Sequence, residues 1–105
     1  MEDGRLKIKW KTLAKNRIRQ IDKWYRKNMG NKAADKFSFG IIETVDLLAT
    51  NPFIGKAEPP RAKSKKNYRS FVEHKNHKIV YYVEKDTIYI SDIWPNSQNP
   101  DNFIK

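Results

Sequence analysis

The chain has no cysteine and only two histidines in 105 residues. Without thiols there is no disulfide scaffold and no Cys-ligated zinc or iron–sulfur site. Two histidines without carboxylate company give no metal-binding pattern, so neither a metal nor a cofactor is expected. Long apolar runs are missing as well. The sequence therefore predicts no signal peptide and no membrane span, and the cytoplasm is the expected location. It has no Gly-rich phosphate loop, no G-x-S-x-G and no carboxylate pair placed for acid–base work, and so no small-molecule substrate site to nominate. Acidic residues are scarce: 12 Asp and Glu stand against 22 Lys and Arg, a formal net charge of +10.

Aromatic residues are plentiful, at 12% of the chain. Disordered basic tails rarely carry so many rings, which points to a folded basic domain. The length suits one domain, residues 1–105, with a single modest core. The charge is uneven. Residues 1–36 carry 12 basic and 4 acidic groups, residues 56–78 carry 8 and 2, and residues 79–105 carry 2 and 4. A surface of this kind favours a polyanionic partner: nucleic acid, the ribosome or an acidic protein segment. The alternative is solubility alone.

Leu6, Ile8 and Trp10 alternate with Lys7 and Lys9, the pattern of a half-buried strand. Thr12 is a candidate N-cap. Ala14, Ile18, Ile21 and Tyr25 then recur at helical spacing, with Lys15, Arg19, Lys23 and Arg26 on another face. Gly30 suits the left-handed position after a helix, and Asn31 can cap the next start. A second helix is predicted from about Lys32 to Ala49, with Ala34, Phe37, Ile41, Val45 and Leu48 as its stripe, ended by Asn51-Pro52. The short gap implies an antiparallel helical hairpin. Residues 51–66 read as a loop broken by Pro52, Gly55, Pro59 and Pro60.

Tyr68 to Trp94 reads as a three-stranded meander, with breaks at Lys75-Asn76 and at Glu84-Lys85-Asp86. The order β-α-α-β-β-β predicts an α+β domain, with a helical hairpin packed on one face of a mostly antiparallel sheet. A two-residue turn at Lys75-Asn76 would pair His74 with His77, Glu73 with Lys78, Phe71 with Val80 and Arg69 with Tyr82. Tyr68, Ser70, Val72, Ile79, Tyr81 and Val83 would then face the helices. Arg69, Phe71, Glu73, Lys78, Val80 and Tyr82 would form an open basic and aromatic face suited to nucleic acid or protein docking. Its bland reading is a solvated face with a Glu73–Lys78 ion pair. His74 and His77 could act as acid or base near neutral pH, or could be ordinary polar turn residues.

The ordered set of segments resembles the RelE/ParE superfamily of toxins from type II toxin–antitoxin systems. The set comprises "LKIKW", an alanine-led helix, a helix ending in "LLATNPFIG", the Arg-bearing strand "YRSFV", "HKIVYYVEKDTIYISDIW" and "QNP", over about residues 6 to 100. The resemblance implies a small toxin neutralised by a cognate antitoxin that wraps it, and one of two targets. RelE-like members cut mRNA in the ribosomal A site with basic residues of the sheet, whereas ParE-like members inhibit DNA gyrase. Arg69 stands where the nucleases place a Lys, and Lys78 where they place an Arg. Phe71 and Ser97 stand where they carry further cations. Catalytic candidates for a nuclease are Arg69, Lys78, His77 and Tyr82. Candidates for target binding are Lys65, Lys66, Arg69, Trp94, Gln98 and Asn99. The missing cations lean the reading towards ParE-like gyrase inhibition. Ribosome-dependent mRNA cleavage is the alternative, and an inactive antitoxin-binding co-repressor is a second one.

Overall fold

The structure is a computed structural model that describes residues 4–58, 66–73 and 77–95, with Pro95 described by its backbone alone. Strand β1 (Lys7–Trp10) leads into helices α1 (Thr12–Asn28) and α2 (Asn31–Thr50). These are followed by β2 (Lys56–Ala57), β3 (Arg69–Glu73), β4 (His77–Glu84) and β5 (Thr87–Pro95). The five strands form one sheet in the order β1-β5-β4-β3-β2. β1 runs parallel to β5 and every other pair is antiparallel. The helical hairpin packs on one face, as the α+β reading expects. Among the described residues, no helix is long and apolar enough to cross a membrane.

Periodicity places the helices well. The predicted stripe Ala34, Phe37, Ile41, Val45 and Leu48 is buried along α2, and Ala14 is buried on α1 with Ile18, Ile21 and Tyr25 packed against the core. These meet Ile79 and Tyr81 of β4 and Ile88, Ile90 and Ile93 of β5. Each such aliphatic side chain contributes about 1.5–3 kcal/mol by leaving water. Gly30 takes the predicted positive φ, +97°, between the helices. The cap residues behave otherwise. Thr12 is the first residue of α1, and Lys11 precedes it without a side-chain cap. The Lys11 amide instead donates to Ile90 O, extending the β1–β5 ladder up to the helix start. Asn31 is likewise the first residue of α2, and its Oδ1 accepts from Arg26 Nη1 at 3.2 Å. Arg26 also bonds Asp22 and Asp35, stapling the hairpin at its turn.

The hairpin joining β3 and β4 departs from the expected two-residue turn. The observed partners are Glu73–His77, Val72–Lys78, Phe71–Ile79, Ser70–Val80 and Arg69–Tyr81. Residues 74–76 therefore separate the strands, and the pairing is displaced by one residue. Since side chains alternate, this slip turns all of β3 over. Phe71 packs on the helix-side core, and Arg69 and Glu73 share its side. Ser70 and Val72 move to the far face with Lys78. The predicted neighbours Arg69 and Tyr82 lie on opposite faces, and the suggested Glu73–Lys78 ion pair does not form. Tyr68 also belongs to the far face, where its ring meets Tyr82 edge-on. The β4 assignments hold, with Ile79 and Tyr81 inward. Val80 and Tyr82 nevertheless sit buried on the far side rather than open. His74, Lys75 and Asn76 lie outside the described residues.

Two further features had no sequence pattern to announce them. Lys56 and Ala57, inside the predicted loop, pair with Ser70 and Arg69 as a two-residue strand. In β5, Val80 pairs with Asp92 while Tyr81 pairs with Ile90, so Ser91 is an extra, bulged residue. The bulge lets Ile90 and Ile93 both face the core and sends Asp92 and Trp94 to the far face. The second turn falls where predicted, at Lys85-Asp86, and Lys85 takes a φ of 56° there.

His77 opens β4 beneath the helical hairpin. Its ring lies 4.7 Å from that of Phe37 and 5.9 Å from that of Tyr25, between centroids. Burial pushes its pKa down to about 4. Glu73 Oε1 is 3.5 Å from Nδ1, a contact that would favour the charged ring. That separation is too long for a good hydrogen bond, and burial away from water favours the neutral imidazole. The folded value thus lies below the unfolded value of about 6.5. The unfolded chain takes up the proton first as pH falls. Stability from neutral His77 is complete above the unfolded value and drains away down to about pH 4. Urea midpoints measured across that window are expected to fall in the unmodified chain and to fall less in His77→Phe. Parallel curves for the two proteins would contradict this.

Candidate functional site

The far face of the sheet gathers Lys78, Tyr82, Trp94 and Lys66 from the candidate residues, and a network binds them there. Arg17 of α1 donates through Nε to Asp92 Oδ1 at 3.0 Å, round the edge of β5. Asp92 Oδ2 accepts from Trp94 Nε1 at 2.7 Å, and the Lys78 ammonium lies 5.3 Å from the centroid of the Trp94 ring. Lys78 also pairs with Glu58 at 3.3 Å, and Ser70 Oγ donates to the same carboxylate at 2.6 Å. Burial alone would raise the Glu58 pKa. The Ser70 hydroxyl and the Lys78 and Lys56 charges outweigh it and hold this carboxyl below its usual range.

A second cluster adjoins this one. Tyr82 stacks on Tyr89 at 4.9 Å, Lys66 covers Tyr82 at 5.1 Å while pairing with Glu84 at 2.5 Å, and Lys11 covers Tyr89 at 5.9 Å. Each of these cations sits over a ring, and Lys66 and Lys78 each also face a carboxylate. Trp94 and Tyr82 are only 6% and 5% exposed, which leaves little ring surface for a base to stack on.

Arg69 and His77 are elsewhere. Arg69 reaches the loop after α2, where Nη1 donates to Gly55 O at 2.8 Å and the guanidinium lies 5.0 Å from the Phe53 ring centroid. The same loop is tied to the central strand by Tyr81. Its hydroxyl donates to Pro52 O at 2.7 Å and accepts from the Gly55 amide at 3.0 Å. Burial raises the Tyr81 pKa, so the neutral hydroxyl can do both. His77 is enclosed under the hairpin by Phe37 and Tyr25. The four nuclease candidates therefore divide between two faces of the sheet. Lys65, Gln98 and Asn99 lie outside the described residues.

The helical hairpin presents a surface of another kind. Lys11, Lys15, Arg19 and Lys23 recur every four residues along the N-terminus and body of α1. Beside this ridge, Trp10, Ile18, Ile41 and Ile42 line a shallow apolar hollow of about 320 Å³ that Lys15 and Arg19 border. Phe39 and Ile42 are well exposed on α2, as are Leu13 and Trp24 on α1.

Sequence reasoning passed over Glu58, Arg17, Asp92 and the loop around Phe53. The Asp92–Trp94 pair had a readable signal, since residues two apart on a strand share a face. Arg17 and Glu58 had none, because their partners are 75 and 12 residues away in the chain.

Comparison with known proteins agrees with this architecture. Among solved structures, one described as a chromosomal ParDE TA system from P. aeruginosa superposes with a TM-score of 0.71 at 20% identity, covering 89% of this chain and 98% of that one. At that identity the likeness speaks for the fold. No curated protein matches the sequence. The family model described as ParE toxin of type II toxin-antitoxin system, parDE, matches residues 8–100, nearly the whole chain. The chain belongs to this family of toxins, of type II toxin–antitoxin systems and ParE-like in kind.

Proposed function

We propose that this toxin arrests growth by binding a protein target, DNA gyrase, and does not cut RNA. The observation that carries the reading is the separation of the would-be catalytic groups. Cleavage by 2′-OH attack needs a base, a phosphate-binding cation and an acid within reach of one scissile bond. Arg69 holds a loop on one side of the sheet, and His77 is shielded by Phe37 and Tyr25. Lys78 is paired with Glu58 on the other side. The tail equipment that nucleases of the superfamily carry is also missing, since residues 95–100 contain no cation. The family match supports the same direction.

The cognate antitoxin is expected to be acidic and amphipathic. A helix with apolar residues at i, i+3 and i+4 would fit the hollow between Ile18 and Ile42, and its carboxylates would meet Lys15, Arg19 and Lys23. The basic ridge would also speed encounter at low salt.

Two outcomes are expected. Purified chain should block supercoiling by DNA gyrase and leave no ribosome-dependent cuts on a translated message in primer extension. Cuts with supercoiling untouched would restore the nuclease reading, and absence of both would favour an inactive co-repressor. Separately, Lys15→Glu/Arg19→Glu/Lys23→Glu should slow association with the product of the neighbouring antitoxin gene by about tenfold or more at low ionic strength. Its thermal midpoint should stay close to that of the parent, because the three side chains are exposed. Unchanged association would place the antitoxin elsewhere.

A further inference from the structure

The loop from Asn51 to Gly55 is fastened from below and apolar on top. Tyr81 and Arg69 take up the carbonyls of Pro52 and Gly55 and the amide of Gly55. Gly55 is buried so closely that an added Cβ would lie 2.4 Å from Tyr81 Oη and 2.8 Å from Ser70 O. That contact restricts the position to glycine. The outcome of this anchoring is not burial of the loop's apolar side chains. Phe53 remains 68% exposed and Ile54 50% exposed. Two large apolar groups held outward on a fixed backbone form a pre-ordered contact, one that loses little entropy on binding.

We propose that the Phe53–Ile54 knuckle is the element by which the toxin docks on its protein target, inserting into an apolar pocket with an acidic rim. This rests on the reading of the toxin as a binder of a protein target. The chemistry of the rim follows from charge. Exposed Lys56 lies two residues beyond Ile54, and the Arg69 guanidinium lies against the Phe53 ring. Beside Phe53, a depression of about 340 Å³ bordered by Ala57, Glu58, Tyr68, Arg69 and Val83 is large enough to receive an apolar side chain from the partner. Arg69 acts here as a positioning residue: it fixes the knuckle through Gly55 O and Phe53 without needing to touch the target itself.

The test uses the full chain expressed without antitoxin. Phe53→Ser/Ile54→Ser is expected to need about tenfold or more protein for the same growth arrest, as removal of an interface anchor requires. Its thermal midpoint and its titration with the purified antitoxin should match the parent. Phe53→Leu should keep the arrest, and Lys56→Glu should weaken it. Undiminished arrest by the double variant overturns the inference while leaving the toxin reading intact. Loss of antitoxin binding in step with arrest also overturns it, by assigning the knuckle to the antitoxin interface. A parent chain that arrests nothing overturns the toxin reading and this inference together. Should the double variant melt early, Lys56→Glu poses the question on an unaltered loop, and full arrest by that variant overturns the inference.

Discussion

The hydroxyl of Tyr81 is the contact on which most of this structure depends. It lies at the centre of β4, is fully buried, and joins the end of the helical layer to the middle of the sheet through Pro52 O and the Gly55 amide. Left unmade, it would strand buried polar groups at about 1–3 kcal/mol each. Once made, it fixes where α2 ends relative to β4, and β2 follows at once as a partner for β3. Arg69 completes the arrangement from the neighbouring strand. The residue that the resemblance to RelE-like nucleases would make a catalytic cation is here engaged by two backbone carbonyls, at 2.8 and 3.5 Å, and one ring.

That engagement follows from register. With Glu73 opposite His77, Arg69 lies on the helix side of the sheet, beside Tyr81. Displaced by one residue, it would stand on the far face with Lys78 and Tyr82, as an RNA-cutting surface would need. The far face instead uses its cations internally. Lys78 bridges Glu58 and Trp94, and Lys66 bridges Glu84 and Tyr82. Among the described residues, exposed positive charge includes Lys15 and Lys23 along α1 and Lys56 beside the loop after α2. On the proposed reading, a toxin neutralised by an antitoxin and directed at a protein target is served by two such patches on separate elements.

Much of the fold was legible in the sequence because it rests on periodicity. The stripes of α1 and α2, the strand "LKIKW" and the alternation in β4 follow from residue spacing alone, and the structure places them as expected. The face of β3 was not legible. Its residues Arg69 to Glu73 alternate between polar and apolar on both faces, so only the length of the turn decides which side is inward, and Lys75-Asn76 resembled a two-residue turn. The bulge at Ser91 escaped for a related reason, since Ile90 and Ile93 both being buried contradicts simple alternation. The loop anchored by Tyr81 and Arg69 depends on contacts 14 to 29 residues apart, which no local pattern encodes.

The most direct test of this arrangement is hydrogen exchange at the Gly55 amide. Bound to a buried hydroxyl, that amide should exchange only through global unfolding, as slowly as core amides of β4. In Arg69→Ala the loop loses one of its two holders, and exchange at Gly55 should accelerate through local opening while the β4 amides stay protected. Exchange at the rate of an exposed loop in the unmodified chain, or protection at Gly55 untouched by Arg69→Ala, would contradict the anchoring of this loop by Tyr81 and Arg69.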